Sequence, residues 1–449
     1  MPSPTPPSRL FRGGRLFDGT QFLDATDLRC GPDGRITEIG TQLVAELGEE
    51  VTELDGRWLL PGLVDCHVHF REPGLVRKEG YGYGSSGALH GGVTTVCEIQ
   101  NNPPLMDSLV TLKTKLENLR GISRVDYAPY GSLVEESLSD LAIMKKHCPA
   151  VKCFLGCSTG AGGVADEATL RRWFAAAAKA GIKVVAHCED NDVMDAATEA
   201  LRDDPDKFTR HDLRRSREAE VVSIDSAIAI ATEVGAILHV FHISTFEGAA
   251  RVTTAAARGM AVTGSTAPHY LLATADDTEA AVQNRFKVNP ALKYEDDRVG
   301  IGNLVRQGML PIVGTDHAPH PLDEKDRPYQ KAPSGFPSID LLLPLMFAAA
   351  DLHQCSPEPF LHAVTQGPAD EFALVQKGRL ALGLDADLVI VDPSQKRVVD
   401  ETTLLSRSGW SPYVGRELRG FPEQVFLRGN LVFADGATVG DPIGQPLMA

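Results

Sequence analysis

The chain has 449 residues, 43% apolar and 23% charged, which is enough for one large domain plus an accessory one. A formal net charge of −16 disfavours a nucleic acid or an anionic membrane surface as partner, and no apolar run reaches membrane-spanning length. An anionic substrate would then need local positive charge, from metal ions or chosen arginines.

The proline-rich start, Met1-Pro-Ser-Pro-Thr-Pro-Pro, has neither the basic region nor the apolar core of a signal peptide, so a cytoplasmic protein is expected. Residues 9 to about 60 carry short β-like runs, such as 9–12 and 35–39, split by Asp18-Gly19-Thr20 and Gly31-Pro32-Asp33-Gly34. The C-terminal part repeats this texture at 387–391, 423–428 and 431–433. Neither end can bury a sound β core alone. Residues 1–59 and 376–449 are therefore expected to join in one small β-sandwich domain, with a catalytic domain over 60–375 between them.

In that middle stretch apolar, β-branched runs alternate with alanine-rich helical ones. Candidate strands lie at 60–67, 92–98, 125–131, 150–155, 182–187, 236–242, 260–265 and 310–315. Asp166 opens one helix as an N-cap and Gly181 closes it; 217–234 is another long helical pattern. Eight strand–helix units predict an α/β fold of the (β/α)8 barrel type, with its active site at the C-terminal ends of the strands. A doubly wound open sheet is the alternative, but no glycine-rich phosphate loop follows the first strand. Eight cysteines (Cys30, Cys66, Cys97, Cys148, Cys153, Cys157, Cys188, Cys355) lack a framework spacing and are expected as reduced, buried thiols. Cys153 and Cys157 have no second pair to complete a metal site.

Polar residues fall where the strands end. His67 and His69 close the first strand on one face, a pair that reads either as half a metal site or as packed histidines. Lys152 stands among apolar neighbours in the fourth, His187 ends the fifth, His242 the sixth, and Asp316 the eighth. Four imidazoles and a carboxylate on separate strands suit one or two zinc-type ions. Two such ions need a bridging anion, which Lys152 supplies if carboxylated to a carbamate; from the residues alone a buried, ion-paired lysine is favoured. His239 is read as a barrel-wall residue and His317 as turned away from the site. His90, His147, His211, His353 and His362 are read as surface or cap residues.

Together, D-C-H-V-H-F-R-E-P-G from Asp65 to Gly74, Lys152 in V-K-C-F-L-G, His187 in A-H-C-E-D, His242 in F-H-I-S, Ala267-Pro268-His269, and G-T-D-H-A-P-H from Gly314 to His320 resemble the amidohydrolase superfamily, and within it the dihydroorotases. The resemblance spans nearly the whole chain in family order. It implies two divalent ions, Zn2+ foremost, on His67, His69, carboxylated Lys152, His187, His242 and Asp316; some dihydroorotases use an aspartate as the bridge. It implies reversible cyclisation of N-carbamoyl-L-aspartate to (S)-dihydroorotate in pyrimidine synthesis. A water shared by two metal ions drops in pKa from near 16 to roughly 7, and the hydroxide attacks the ring amide while Asp316 shuttles the proton.

Arg71 lies two residues beyond His69 and faces the same side if the strand continues. A guanidinium there suits bidentate capture of a carboxylate, which dihydroorotate carries. Allantoinases have asparagine at this position and hydantoinases lack the arginine. The family pattern also places Asn101, His269, Asn289 and His320 on the substrate, although Gln100 replaces the proline of the usual M-P-N-T. The loop from Pro321 to Pro337 is expected as a lid whose backbone near Gly335 touches substrate. The alternatives are another cyclic amidase, such as an allantoinase or hydantoinase, or a non-catalytic scaffold for aspartate transcarbamoylase. The scaffold ranks last because the ligand set is complete. A homodimer and an aspartate transcarbamoylase complex are the expected protein partners.

Overall fold

The computed structural model describes residues 6–448 apart from 161, 165, 205 and 280–282, so most of the proline-rich start lies outside the described residues. Strands Leu63–Val68, Val93–Glu98 and Asp126–Pro129 pair in parallel. Gly131–Ser132, Val151–Leu155, Val184–Cys188, Leu238–Val240 and Val262–Gly264 form a second parallel arc. Tyr130 joins the arcs, its N–H donating to the Glu98 carbonyl while the Gly131 N–H donates to that of Ala150. The remaining gap is filled by residues 310–317. Val313 bridges Thr266 on one side and His317 bridges Val68 on the other, both in parallel sense. The ring of eight staves is closed.

The eighth stave, expected as a strand over 310–315, is held by single bridges instead. Pro311 has no N–H to give, and the N–H and hydroxyl of Thr315 go to the buried carboxylate of Asp65 on the first stave, so ladder bonds are replaced by side-chain bonds. Elsewhere the reasons are local. Val93–Glu98 is buried on both faces, as a parallel strand covered by helices must be. Helix Glu167–Ala180 starts where the Asp166 carboxylate accepts the Thr169 N–H and stops at Gly181, whose φ is +63°. Its Leu170, Trp173, Phe174 and Ala177 make the buried stripe. Helix Arg217–Val234 runs from a Ser216 cap to Gly235 in the same way.

Strands from both ends of the chain share one nine-stranded sheet, in which Leu388–Val391 lies between Trp58–Pro61 and Pro422–Leu427. Phe11, Leu16, Leu28, Leu59, Leu388 and Phe426 belong to its own apolar cluster. Trp58–Pro61 is still part of this sheet, and the barrel begins at Leu63 across Gly62, where a β-carbon would lie 2.1 Å from the Thr94 hydroxyl. Lys377 ties sheet to barrel: its buried ammonium contacts Asp126 on the third barrel strand, Asp385 and Asp387, with Arg428 also on Asp126.

Two expectations need correction. Cys157 is exposed and Cys355 half-buried, because Cys157 follows Gly156 out of the barrel into the loop above it; the other six thiols are buried and none is bonded. His90 is buried rather than on the surface, its Nδ1 lying 2.8 Å from the Asp340 carbonyl. Among the described residues no helix is long and apolar enough to cross a membrane.

Candidate metal and substrate site

At the C-terminal mouth of the barrel, His67, His69, Arg71, Asn101, Lys152, His187, His242, Asn289, Asp316 and Gly335 line one narrow cavity. Asp316 Oδ1 lies 3.2 Å from the Nε2 atoms of both His67 and His69. Opposite them, His187 Nδ1 and His242 Nε2 are 3.1 Å apart.

The outer ring contacts fix the tautomers. His69 Nδ1 is 2.9 Å from the Ile99 carbonyl, which can only accept, so Nδ1 carries the proton and the Nε2 lone pair faces Asp316. His187 Nε2 is 3.0 Å from a Glu189 carboxylate oxygen, off the line of a regular hydrogen bond. A carboxylate that close favours the proton at Nε2 and the lone pair at Nδ1, toward His242. Burial drives His67 and His242 well below the usual imidazole range, with Lys152 and the neighbouring histidines adding to it. Burial also lowers His69 and His187. Neutral imidazoles, with the lone pairs of His69 and His187 turned inward, next to a carboxylate, are the donor set a divalent cation requires.

Lys152 is not ion-paired as the residues alone suggested. Among the described residues no carboxylate pairs with it; its Nζ is buried without a hydrogen-bond partner, 4.7 and 5.0 Å from the ring centres of Phe154 and Phe241. Burial pushes its pKa down to about 8, against a weaker upward pull from Asp316. An orphaned amine whose neutral fraction is raised by burial, among four inward-facing imidazoles, fits the two-ion, carbamate-bridged arrangement.

Arg71 reaches the cavity by a different route from strand alternation. The strand ends at Val68, and Arg71 sits at φ +65°, so a turn swings the side chain inward. Its guanidinium is buried; Nη1 donates to Asn101 Oδ1 at 2.6 Å, while Nε and Nη2 have no partner. Burial lowers it to about 10, so it remains cationic at neutral pH. Asn101 also donates to the Thr159 carbonyl. Gln100 does not dislodge it: Gln100 donates to the Pro73 carbonyl and accepts from Lys115, whose ammonium pairs with Glu98.

His269 and His320 are buried beside this cavity. His269 is wedged against Tyr270 and Phe336 with both ring nitrogens unpartnered, and burial lowers it to about 4. His320 Nδ1 meets Lys78 Nζ at 2.9 Å. The loop after Pro321 is fastened: Lys325 Nζ, fully buried, donates to the carbonyls of Lys287, Pro333 and Gly335. Gly335, at φ +116°, lies under Ala318, where a β-carbon would come within 2.8 Å.

Sequence reasoning missed a supporting layer. Glu189 is gripped by Arg215, which overcomes the upward effect of burial and holds the carboxylate well below its usual range. Its place in A-H-C-E-D, two residues past a ligand-type histidine, was the available signal. His211 is half-buried instead of superficial, with Nδ1 2.7 Å from Tyr329 Oη and Nε2 2.9 Å from Asn289 Oδ1. It orients a cavity residue. His239 lies in the barrel wall on Thr263 and Ser265, and His317 turns away to accept the Ser338 N–H.

The profile of the amidohydrolase family matches residues 58–432. The dihydroorotase of Halobacterium salinarum is 35% identical over 435 residues, covering 96% of this chain and 97% of its own. That of Trichlorobacter lovleyi is 31% identical, covering 95% and 99%. Among solved structures, the L-hydantoinase (dihydropyrimidinase) from Arthrobacter aurescens superposes with a TM-score of 0.91 at 25% identity, covering 97% and 98%. The dihydropyrimidinase from Brevibacillus agri gives 0.88 at 25% identity, covering 98% of each chain.

Proposed function

The chain belongs to the amidohydrolase family, and is thus an enzyme that hydrolyses cyclic amides; from that premise we propose that it is a dihydroorotase, interconverting N-carbamoyl-L-aspartate and (S)-dihydroorotate. The observation that carries this choice is the guanidinium of Arg71, buried beside the histidine–aspartate cluster with two donors unspent. A planar fork in that position matches a carboxylate on a small ring, and leaving it unmatched in a desolvated pocket is costly.

In this reading His67, His69, Lys152 as carbamate, His187, His242 and Asp316 hold two divalent ions, with zinc the first choice. When bound, that pair supplies Lewis acidity toward the amide carbonyl and an acidified water. Arg71 binds the substrate carboxylate, with Asn101 bracing the guanidinium, and His320 and His269 close the same end of the ring. Gly335, beside His320, and Asn289 supply backbone and amide contacts. Asp316 turns Oδ1 to the histidines, which leaves Oδ2 to take a proton from the attacking water and return it to the leaving ring nitrogen. Purified, metal-loaded protein is expected to turn over dihydroorotate and N-carbamoyl-L-aspartate and to leave allantoin and hydantoin untouched. Turnover of allantoin or hydantoin without dihydroorotate would overturn the assignment.

One observation favours a second reading. A cavity of about 300 Å3, lined by Leu105, Leu133, Val134, Phe154 and Trp173, adjoins the site beside Lys152 and Asn101. Dihydroorotate has no apolar substituent to fill it, whereas a 5-aryl hydantoin would. Turnover of a 5-aryl hydantoin above that of dihydroorotate would select this reading.

A further inference from the structure

Lys78 stands outside the cavity, between Glu324 and His320. Its Nζ is 2.6 Å from Glu324 Oε2 and 2.9 Å from His320 Nδ1. Glu324 also takes Arg77 at 2.6 Å, so it is firmly ionised and in turn keeps the Lys78 amine an ammonium. An ammonium has three N–H donors and no lone pair. His320 Nδ1 must therefore be the acceptor. Among the described residues the nearest carboxylate to Nδ1, Glu324 Oε2, is 3.6 Å away, beyond a hydrogen bond.

A neutral imidazole that accepts at one nitrogen carries its proton on the other. Doubly protonated imidazolium is excluded by the same neighbourhood: burial, followed by the charges of Arg71, Lys78 and Lys325, pushes His320 well below the usual histidine range, with the Ser334 backbone pulling weakly the other way. Among the described residues its buried Nε2 makes no hydrogen bond of regular geometry. That edge of the ring lies beside Gly335, a residue of the cavity wall: Cδ2, bonded to Nε2, would be 3.5 Å from a β-carbon there. The Trp410 indole N–H holds the His320 carbonyl at 2.8 Å and prevents the residue from backing away.

We propose that Lys78 is a positioning residue: it locks His320 as the Nε2–H tautomer, so that the ring presents a hydrogen-bond donor, alongside Arg71, to an anionic group of the substrate. Identifying that group as the dihydroorotate carboxylate rests on the function proposed above; the tautomer does not. Without Lys78, Nδ1–H can turn to Glu324, and Nε2 then offers a lone pair to a carboxylate, which repels it.

Two-bond 15N–1H correlation spectra of metal-loaded protein, with His320 identified by its loss in His320→Gln, read the tautomer directly. The wild type is expected to show Nε2–H, and Lys78→Met a shift toward Nδ1–H. In Lys78→Met the KM for dihydroorotate should rise about tenfold, with kcat within about threefold and metal content unchanged, the scale of one lost charge-assisted donor. Lys78→Arg, also a pure donor, should restore most of the KM. An Nδ1–H signal in the wild type, or an unchanged tautomer in Lys78→Met, overturns the proposal. If Lys78→Met does not fold, the wild-type spectrum still decides. Should the wild type ignore dihydroorotate altogether, the substrate reading falls while the spectrum continues to judge Lys78.

Discussion

Replacing Arg71 with alanine separates substrate recognition from chemistry. The guanidinium keeps one N–H on Asn101 and aims Nε and Nη2 at the cavity without partners. Each charge-assisted hydrogen bond is worth about 1.5–3 kcal/mol, and a shared fork at a partly wet mouth gives about 3–4 kcal/mol in total. That corresponds to roughly 200- to 1000-fold in kcat/KM. The loss should appear with dihydroorotate but not with dihydrouracil, the same ring without its carboxylate, for which about fivefold or less is expected. The assay is a cycle of two enzymes and two substrates with metal content measured in each preparation. Arg71→Lys, which keeps the charge and loses the fork, should fall between. Equal losses on both rings would refute the reasoning, because Arg71 would then act by bracing Asn101 and the loop and not by gripping an acid.

Three further outcomes are expected. Carbamate formation needs the neutral amine of Lys152, whose fraction grows as pH rises through about 8, so metal-free, CO2-stripped protein should regain activity with bicarbonate and metal faster at pH 8.5 than at 6.5. A 13C-bicarbonate resonance for the carbamate, absent in Lys152→Ala, is the direct check. Glu189→Ala removes the acceptor that sets the His187 tautomer and strands Arg215, so competition with a chelator should show one of the two bound ions about 10–100-fold weaker. Unchanged affinity for both ions would place Glu189 outside the metal support. Lys377→Met leaves Asp126, Asp385 and Asp387 with only Arg428 on Asp126 and Arg35 on Asp385, and should cost about 3–5 kcal/mol at neutral pH. In the wild type burial raises Asp126, but Lys377 and Arg428 outweigh it and hold it low, while Asp387 is already raised by burial. With the lysine gone both carboxyls shift above their unfolded values, and a raised folded pKa gives stability that is present at low pH and lost as pH rises through it. The deficit in urea midpoint should therefore widen from pH 5 to pH 8; a flat deficit would refute the charge argument.

The ring of staves was legible because buried parallel strands read as apolar runs and their ends as abrupt polar insertions, as at His187 and His242. The histidine pair at His67 and His69 followed from alternation alone. What was not legible depends on contacts between distant segments. Nothing near Lys152 in sequence says whether a carboxylate from another stave reaches it, and among the described residues none does. Gln100 looked like a disturbance of Asn101 because its partners, Pro73 and Lys115, come from elsewhere in the chain. His211 read as a surface residue because Tyr329 and Asn289, which enclose it, lie about eighty or more positions later. The Pro321 loop read as a lid from its length and its place after Asp316, and nothing near Lys325 in sequence says that three carbonyls cage its ammonium.

Strand alternation also fails at a specific place, where the backbone leaves the strand. Arg71, His242 and Asp316 have φ of +65°, +43° and +49°, a left-handed region that costs a non-glycine residue about 1–3 kcal/mol. Glycine would relieve the cost at each position but would supply no guanidinium, imidazole or carboxylate. The conformations persist because hydrogen bonds on either side over-determine them. Around His242 the Phe241 N–H donates to Ala186 and the Ile243 N–H to Ser265. Around Asp316 the Thr315 hydroxyl accepts the His317 N–H, and the Asp65 carboxylate holds Thr315 itself. After Arg71, the Leu75 N–H donates to its carbonyl and the Gly80 N–H to that of Phe70. A closed ring supplies such bonds on both sides of every stave, which an open edge cannot. The left-handed kinks then turn three side chains inward from staves that have already ended, and this is how residues beyond the last paired strand position meet the histidines that are still on it.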